Sequence, residues 1–165
     1  DWNKFTRIIY INTSVENLYN CWTTQNGLQN WFLKTAEFYN NGNKRKANEN
    51  CEPGDTYIWK WYNWNGQEEG KVVTANGQDK LVIEFANSIV SIDLYNSRGK
   101  VCVELKQTNI PTDNQSKYNI HHGCSCGWSF WLTNLKAWTE YGITLNDKEE
   151  GLENGLHCDM DIVNI

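Results

Sequence analysis

Few residues in this chain are arranged for chemistry, and the sharpest group is His121-His122-Gly-Cys124-Ser-Cys126. Imidazole and thiolate are donors that zinc prefers, and four such ligands close a tetrahedral site. Four ligands within six consecutive residues make poor geometry around one ion. On a helix only His122 and Cys126, at i and i+4, share a face, and two ligands are then missing. The group reads as solvated histidines and small thiols at the start of a helix, with no metal site expected. Cys124 and Cys126, two apart, diverge on a helix and make no redox pair. Arg7 lies between Phe5 and Ile9 at the apolar parity of a strand. It is either a polar anchor for an acidic ligand or, as the favoured reading, the partner of a carboxylate. Asp55 stands just before a strand and reads as a turn residue. Glu84 and Glu104 alternate with apolar neighbours, which turns them to solvent. The sequence has no nucleophile elbow, phosphate loop or Gly-rich dinucleotide motif. No catalytic residue, metal or cofactor is assigned.

The unusual material is aromatic. The stretch GDTYIWKWYNWNG, residues 54–66, holds three tryptophans and two tyrosines. Strand parity puts Tyr57, Trp59 and Trp61 on one face and Ile58, Lys60, Tyr62 and Trp64 on the other. Lys60 marks the second face as the wetter one, so Trp59 and Trp61 turn inward. They are core, or the wall of a ligand cavity; an exposed stacking platform would need the Tyr62 and Trp64 face instead. A buried Trp removes about 200 Å² from water. At ~25 cal/mol/Å² that is roughly 5 kcal/mol before entropy is counted. The nine tryptophans of the chain cannot all sit exposed on a soluble monomer.

The elements that must position these rings follow from the pattern of the chain. Its 165 residues, 39% hydrophobic and 21% charged, suit one domain, 1–165, with a single core. The core should span about 5–146, with an acidic extension over 147–165. A strand is expected at 5–11, then a helix to about Thr24 opened by a Thr13/Glu16 capping box. A short helix over about 27–33 and a polar loop over 39–52 follow. Strands at 56–64, 67–75, 80–86, 88–96 and 100–108 are separated by turn residues such as Asn76-Gly77, which makes an antiparallel meander. From 115 to 141 the apolar residues Trp128, Trp131, Leu132, Leu135 and Trp138 repeat at the helical period. Gly142 is placed to end that helix.

A twisted antiparallel sheet needs one face covered, and only the C-terminal helix is long enough to cover it. The expected fold is α+β, a curved antiparallel sheet wrapped around a long C-terminal helix, with two short helices after the first strand. Inward residues are then Leu81, Ile83, Phe85, Val90, Ile92, Leu94, Val101, Val103 and Leu105 of the sheet. Trp128, Trp131, Leu132 and Leu135 come from the long helix, and Trp31 and Phe32 from the short one. Net charge is −5, which argues against a nucleic-acid partner. No apolar run reaches the ~18 residues of a membrane span, and no stretch of this sequence reads as a signal peptide. Six scattered cysteines read as reduced thiols, and the expected location is the cytoplasm.

This order of elements resembles the helix-grip, START-like (SRPBCC) superfamily. INTSVENLYNCWTTQNGLQNWF looks like its opening strand, helix and GL..WF segment, and PGDTYIWKW is similar to its GD.Y.W.W strand. EGKV and VCVELKQT resemble two later strands. GWSFWLTNLKAWTEYGITL is similar to the helix end of the branch related to activators of Hsp90 ATPase, although Asn146 stands where that family often has Arg. The resemblance implies the helix-grip fold. Members of that superfamily bind hydrophobic small molecules and some catalyse cyclisation; with the excess of inward aromatics and no catalytic constellation, the expected role here is binding of a hydrophobic or aromatic small molecule between sheet and C-terminal helix, without catalysis. The expected lining is Trp31, Phe32, Trp59, Trp61, Phe85, Leu94, Val103, Trp128, Trp131, Leu132 and Leu135, with Arg7 as a polar anchor. Two alternatives stand beside it. One is an adaptor for an Hsp90-type chaperone acting through its surface, using the tail 147–161. The other is a cyclase-like or hydrolase-like enzyme using the same cavity.

Overall fold

The computed structural model describes residues 1–149, 151 and 162–164. Most of the acidic extension, and with it the surface expected of an adaptor's tail, lies outside the described residues. The elements run β1 (Phe5–Ile11), α1 (Val15–Thr23), α2 (Gln25–Trp31), β2 (Thr35–Asn40), β3 (Asn43–Lys44), β4 (Thr56–Lys60), β5 (Glu68–Ala75), β6 (Lys80–Phe85), β7 (Ser88–Ser97) and β8 (Lys100–Thr108). A short helix α3 (Asn114–Ser116), a π-helical segment (Lys117–His122) and the long helix α4 (Gly123–Tyr141) complete the order. The strands form one curved eight-stranded sheet in the order β1-β8-β7-β6-β5-β4-β2-β3. Every pairing is antiparallel, and β1 closes on β8 with Ile9 opposite Val103. No helix among the described residues is long and apolar enough to cross a membrane.

The meander over β4–β8 and the α4 stripe agree with the sequence pattern. Leu81, Ile83, Val90, Ile92, Leu94, Val101, Val103 and Leu105 are buried on the face that α4 covers. Gly142 ends α4 in the left-handed conformation, φ 70°, where a Cβ would be strained. Elsewhere the boundaries move for local reasons. Ser14, not Thr13, caps α1 by accepting from the Asn17 N–H at 3.1 Å. Thr24 caps α2, which begins at Gln25 because Thr24 Oγ1 accepts from the Gly27 N–H at 2.9 Å. Part of the expected loop over 39–52 is strand. Only Ala36 and Phe38 of β2 are buried, an alternation too short to stand out in the sequence. β4 stops at Lys60, so parity no longer governs Trp61 to Trp64.

Polar groups fix α4 on the sheet. Gln107 of β8 is wholly buried, accepts from Trp128 Nε1 at 2.8 Å and donates to Ser88 Oγ at 2.7 Å. Lys136 donates to the Tyr10 carbonyl at 2.9 Å. Asn134, also buried, donates to the Trp31 carbonyl and accepts from the Leu145 N–H. Asn146 donates to the Phe32 carbonyl at 3.1 Å, so the residue that departs from the family pattern ties the end of α2 to the segment after α4.

Asp55 is more than a turn residue. Its side chain is fully buried and paired with Arg45, whose own side chain is 8% exposed. Arg45 reaches Asp55 through Nε and, at 3.0 Å, through Nη2, and Asp55 also accepts from the Glu52 N–H at 2.9 Å. This pair clips the segment between β3 and β4 onto the sheet. Asp55→Ala leaves a largely buried guanidinium with only the surface carboxylates Glu49 and Glu52. The expected cost is about 3 kcal/mol, as for a broken buried pair. It should appear as a lower urea midpoint at unchanged slope; an unchanged midpoint refutes the clip.

Candidate functional site

Between sheet and α4 the space is occupied by rings. Trp22 of α1, Trp31 of α2, Trp59 of β4 and Trp128 of α4 are all buried, and Trp131 is 5% exposed. Trp131 stacks on Trp22 at 6.0 Å with 7° between planes and meets Trp31 edge-on at 5.5 Å. Trp59 and Trp128 lie 5.7 and 4.8 Å from it, and Phe85 packs on Trp128 at 4.9 Å. Leu94, Val103, Leu132 and Leu135 complete this interior. Of the residues expected to line a cavity, Trp31, Trp59, Trp128 and these four aliphatics thus sit in packed surroundings.

The remaining lining candidates divide. Phe32, Trp61 and Trp131 come together in a cleft of about 470 Å³ beside α4, with Trp64, His122, Cys126 and Phe130. Ile162 and Val163 border it as well. Phe85 instead borders a second concavity, where β6 and β7 join. Phe32 lies 4.2 Å from the Trp131 ring, and Trp61 meets Trp64 edge-on at 5.0 Å. Local sequence makes the room. An added Cβ at Gly127 of α4 would meet nothing within 4 Å, so the helix wall is open there. Gly66 lets the Trp64 ring fold back, since a Cβ would stand 2.4 Å from that ring.

Arg7 is placed elsewhere. It donates to Ser125 Oγ at 3.1 Å and Ser129 Oγ at 3.2 Å, and its guanidinium lies 5.4 Å from the Phe5 ring centroid. Its partners are helix hydroxyls and the Thr6 carbonyl, not the carboxylate that the sequence suggested. It does not border the aromatic cleft. The sequence does not announce Trp22 or Trp64. Trp22 is one apolar residue on a short helix, and Trp64 has the parity of the wet face only on a strand that runs past Lys60, where β4 ends. Two buried indole donors, Trp22 Nε1 and Trp59 Nε1, have no hydrogen-bond partner among the described residues. Leaving such a donor unpaired costs about 1–3 kcal/mol.

Among the described residues the polar side chains of the cleft are His122 and Cys126, with His122 Nε2 4.0 Å from Cys126 Sγ. Burial pushes the thiol of neighbouring Cys124 up to about 11. No group of three or more His, Cys, Asp or Glu among the described residues could hold a metal ion. The second concavity, about 390 Å³, carries Glu68, Glu69 and Glu84 beside Phe85. Burial holds the Glu68 carboxyl above the usual range, against the Ala86 N–H that it accepts at 2.8 Å.

A family model described as activator of Hsp90 ATPase homolog 1-like protein matches residues 12–140. No curated protein matches the chain. Among solved structures, the protein SSP2350 from Staphylococcus saprophyticus is similar at a TM-score of 0.67 and 12% identity, over 86% of this chain and 95% of that one. The Aha1 dimer from Colwellia psychrerythraea is similar at 0.66 and 20% identity, over 84% and 97%. CalU16 from Micromonospora echinospora is similar at 0.61 and 14% identity, over 86% and 77%. At these identities the likeness shows the fold alone.

Glu68 gives the site region a pH signature. A carboxyl with its folded pKa above the unfolded value binds more protons when folded, so stability falls as pH rises through that window. Glu68→Gln keeps the acceptor for Ala86 and removes the charge. The variant should be more stable than the parent at neutral pH, with the difference vanishing below about pH 4, under the ordinary Glu value. Urea midpoints across pH check this, and a pH-independent difference contradicts it.

Proposed function

The chain belongs to the activator of Hsp90 ATPase homolog 1-like family, and from that premise we propose that it binds a flat hydrophobic molecule in the cleft beside α4, without turning it over. The observation that carries this reading is the set of five rings, Phe32, Trp61, Trp64, Phe130 and Trp131, around about 470 Å³ of open space. That volume lies in the usual range for small-molecule sites, and such sites are mostly apolar with few polar groups. Aromatic walls favour a flat ligand, because offset stacking and edge contacts add to simple burial. Trp131 is held by the packed interior, so the wall is rigid before a ligand arrives, which lowers the entropic cost of binding.

An enzyme of the cyclase or hydrolase type has less support. Among the described residues no carboxylate borders this cleft, and the acidic groups lie at the second concavity. The adaptor reading draws on the family description alone. The five described cysteines are free thiols, which supports a reducing compartment such as the cytoplasm.

Gly127→Leu tests the site directly. The new side chain enters open space, and Leu exceeds Gly in helix propensity by up to ~1 kcal/mol, so the fold should hold. Quenching of intrinsic Trp emission by 1-naphthol should be saturable in the parent protein. The dissociation constant should rise at least ~10-fold in Gly127→Leu and in Trp61→Ala, a loss of about 1.4 kcal/mol, and stay the same in Trp2→Ala, whose ring lies against His121 at 4.9 Å and does not border the cleft. Absence of saturation in a cooperatively folded parent, or indifference to Gly127→Leu, removes the proposal.

A further inference from the structure

The His122 and Cys126 pair is not needed for simple burial of an apolar ligand, yet both side chains border the aromatic cleft. Among the described cysteines, Cys21, Cys51 and Cys102 are buried and Cys124 is half-buried, which leaves Cys126 as the exposed thiol. Its sulfur lies 4.0 Å from His122 Nε2. The i, i+4 spacing holds the two on one helical face. The imidazole stacks on the exposed ring of Tyr118 at 5.9 Å with 21° between planes. His122 also ends the π-helical segment, a local widening of the helix that is rare in ordinary structure and recurs at functional sites.

We infer that Cys126 captures a planar electrophile seated in this cleft, a quinone or other conjugated enone, as a thioether, with His122 as its base. The inference rests on the binding function proposed above and adds the chemical class of the ligand. In its neutral form with the proton on Nδ1, His122 accepts the Sγ proton at Nε2. Sγ then forms a bond to the β-carbon of the enone as the carbon–carbon π bond breaks. The electron pair moves to the carbonyl oxygen, which takes the proton from His122. For a quinone, loss and return of one ring proton gives the hydroquinone thioether. No outside oxidant or reductant enters, and His122 ends neutral. The thiolate is the nucleophile in such additions, so a base at the thiol raises the rate without altering how the ring stacks.

The probe is 1,4-naphthoquinone under anaerobic conditions, with 1-naphthol as its unreactive counterpart and iodoacetamide as a small electrophile that needs no cleft. Intact mass and peptide mapping should show one naphthoquinone per chain on Cys126. Relative to glutathione, Cys126 should be favoured at least ~10-fold more by naphthoquinone than by iodoacetamide. Cys126→Ser should abolish the adduct. At saturating naphthoquinone, so that occupancy of the cleft does not enter, His122→Asn should slow it at least ~10-fold, while both variants keep the parent urea midpoint. If 1-naphthol binds but Cys126 reacts no faster than glutathione, or His122→Asn reacts at the parent rate, capture is refuted and binding stands. If 1-naphthol does not bind and Cys126 behaves as a free thiol, both readings fall.

Discussion

The indole of Trp131 is buried against Trp22, Trp31, Phe32, Trp59, Trp61 and Trp128, and a ring of that size cannot shift without opening a void. That constraint sets where α4 lies across the sheet. It draws on α1, α2, β4 and the turn after β4 at once, so these elements take their positions from one side chain. The same ring forms part of the open cleft. The cleft wall and the core are therefore one object, and the wall inherits the rigidity of the core.

Polar groups supply direction where ring packing alone would tolerate sliding. Trp128 reaches Gln107, Asn134 reaches the Trp31 carbonyl, and Arg7 reaches Ser125 and Ser129. The first two, and the bond to Ser125, satisfy groups that would otherwise be costly to bury. They act at different heights along α4, so the helix is fixed in both rotation and translation. Asn134 and Asn146 carry the constraint on to Phe32, which helps to set the width of the cleft.

Much of the fold was legible because its signals are periodic. The alternation through β4 to β8 and the 3.6-residue stripe of α4 needed no knowledge of partners. β2 was not legible, since two buried residues in six make no convincing alternation. The site was legible only in part. Parity turned Trp59 inward correctly, but a strand that stops at Lys60 carries no parity to Trp61 and Trp64, and these two rings meet across a turn. Asp55 and Gln107 show the other limit. A buried polar residue is explained by its partner, and Arg45 and Trp128 are distant enough in sequence that spacing does not announce them. The space at Gly127 depends on what fails to cover a helix, which no pattern in the helix itself records.

The crowding of indoles has an optical consequence. The Trp131 ring centre lies 4.8 to 6.0 Å from those of Trp22, Trp31, Trp59, Trp61 and Trp128. At such separations excitation hops between rings faster than any one of them emits. The cluster behaves as a single antenna, with Trp61, Trp64 and Trp131 as its terminals at the cleft. A quencher that touches any of these terminals drains light absorbed deep inside the protein, so the interior reports an event that takes place at its edge.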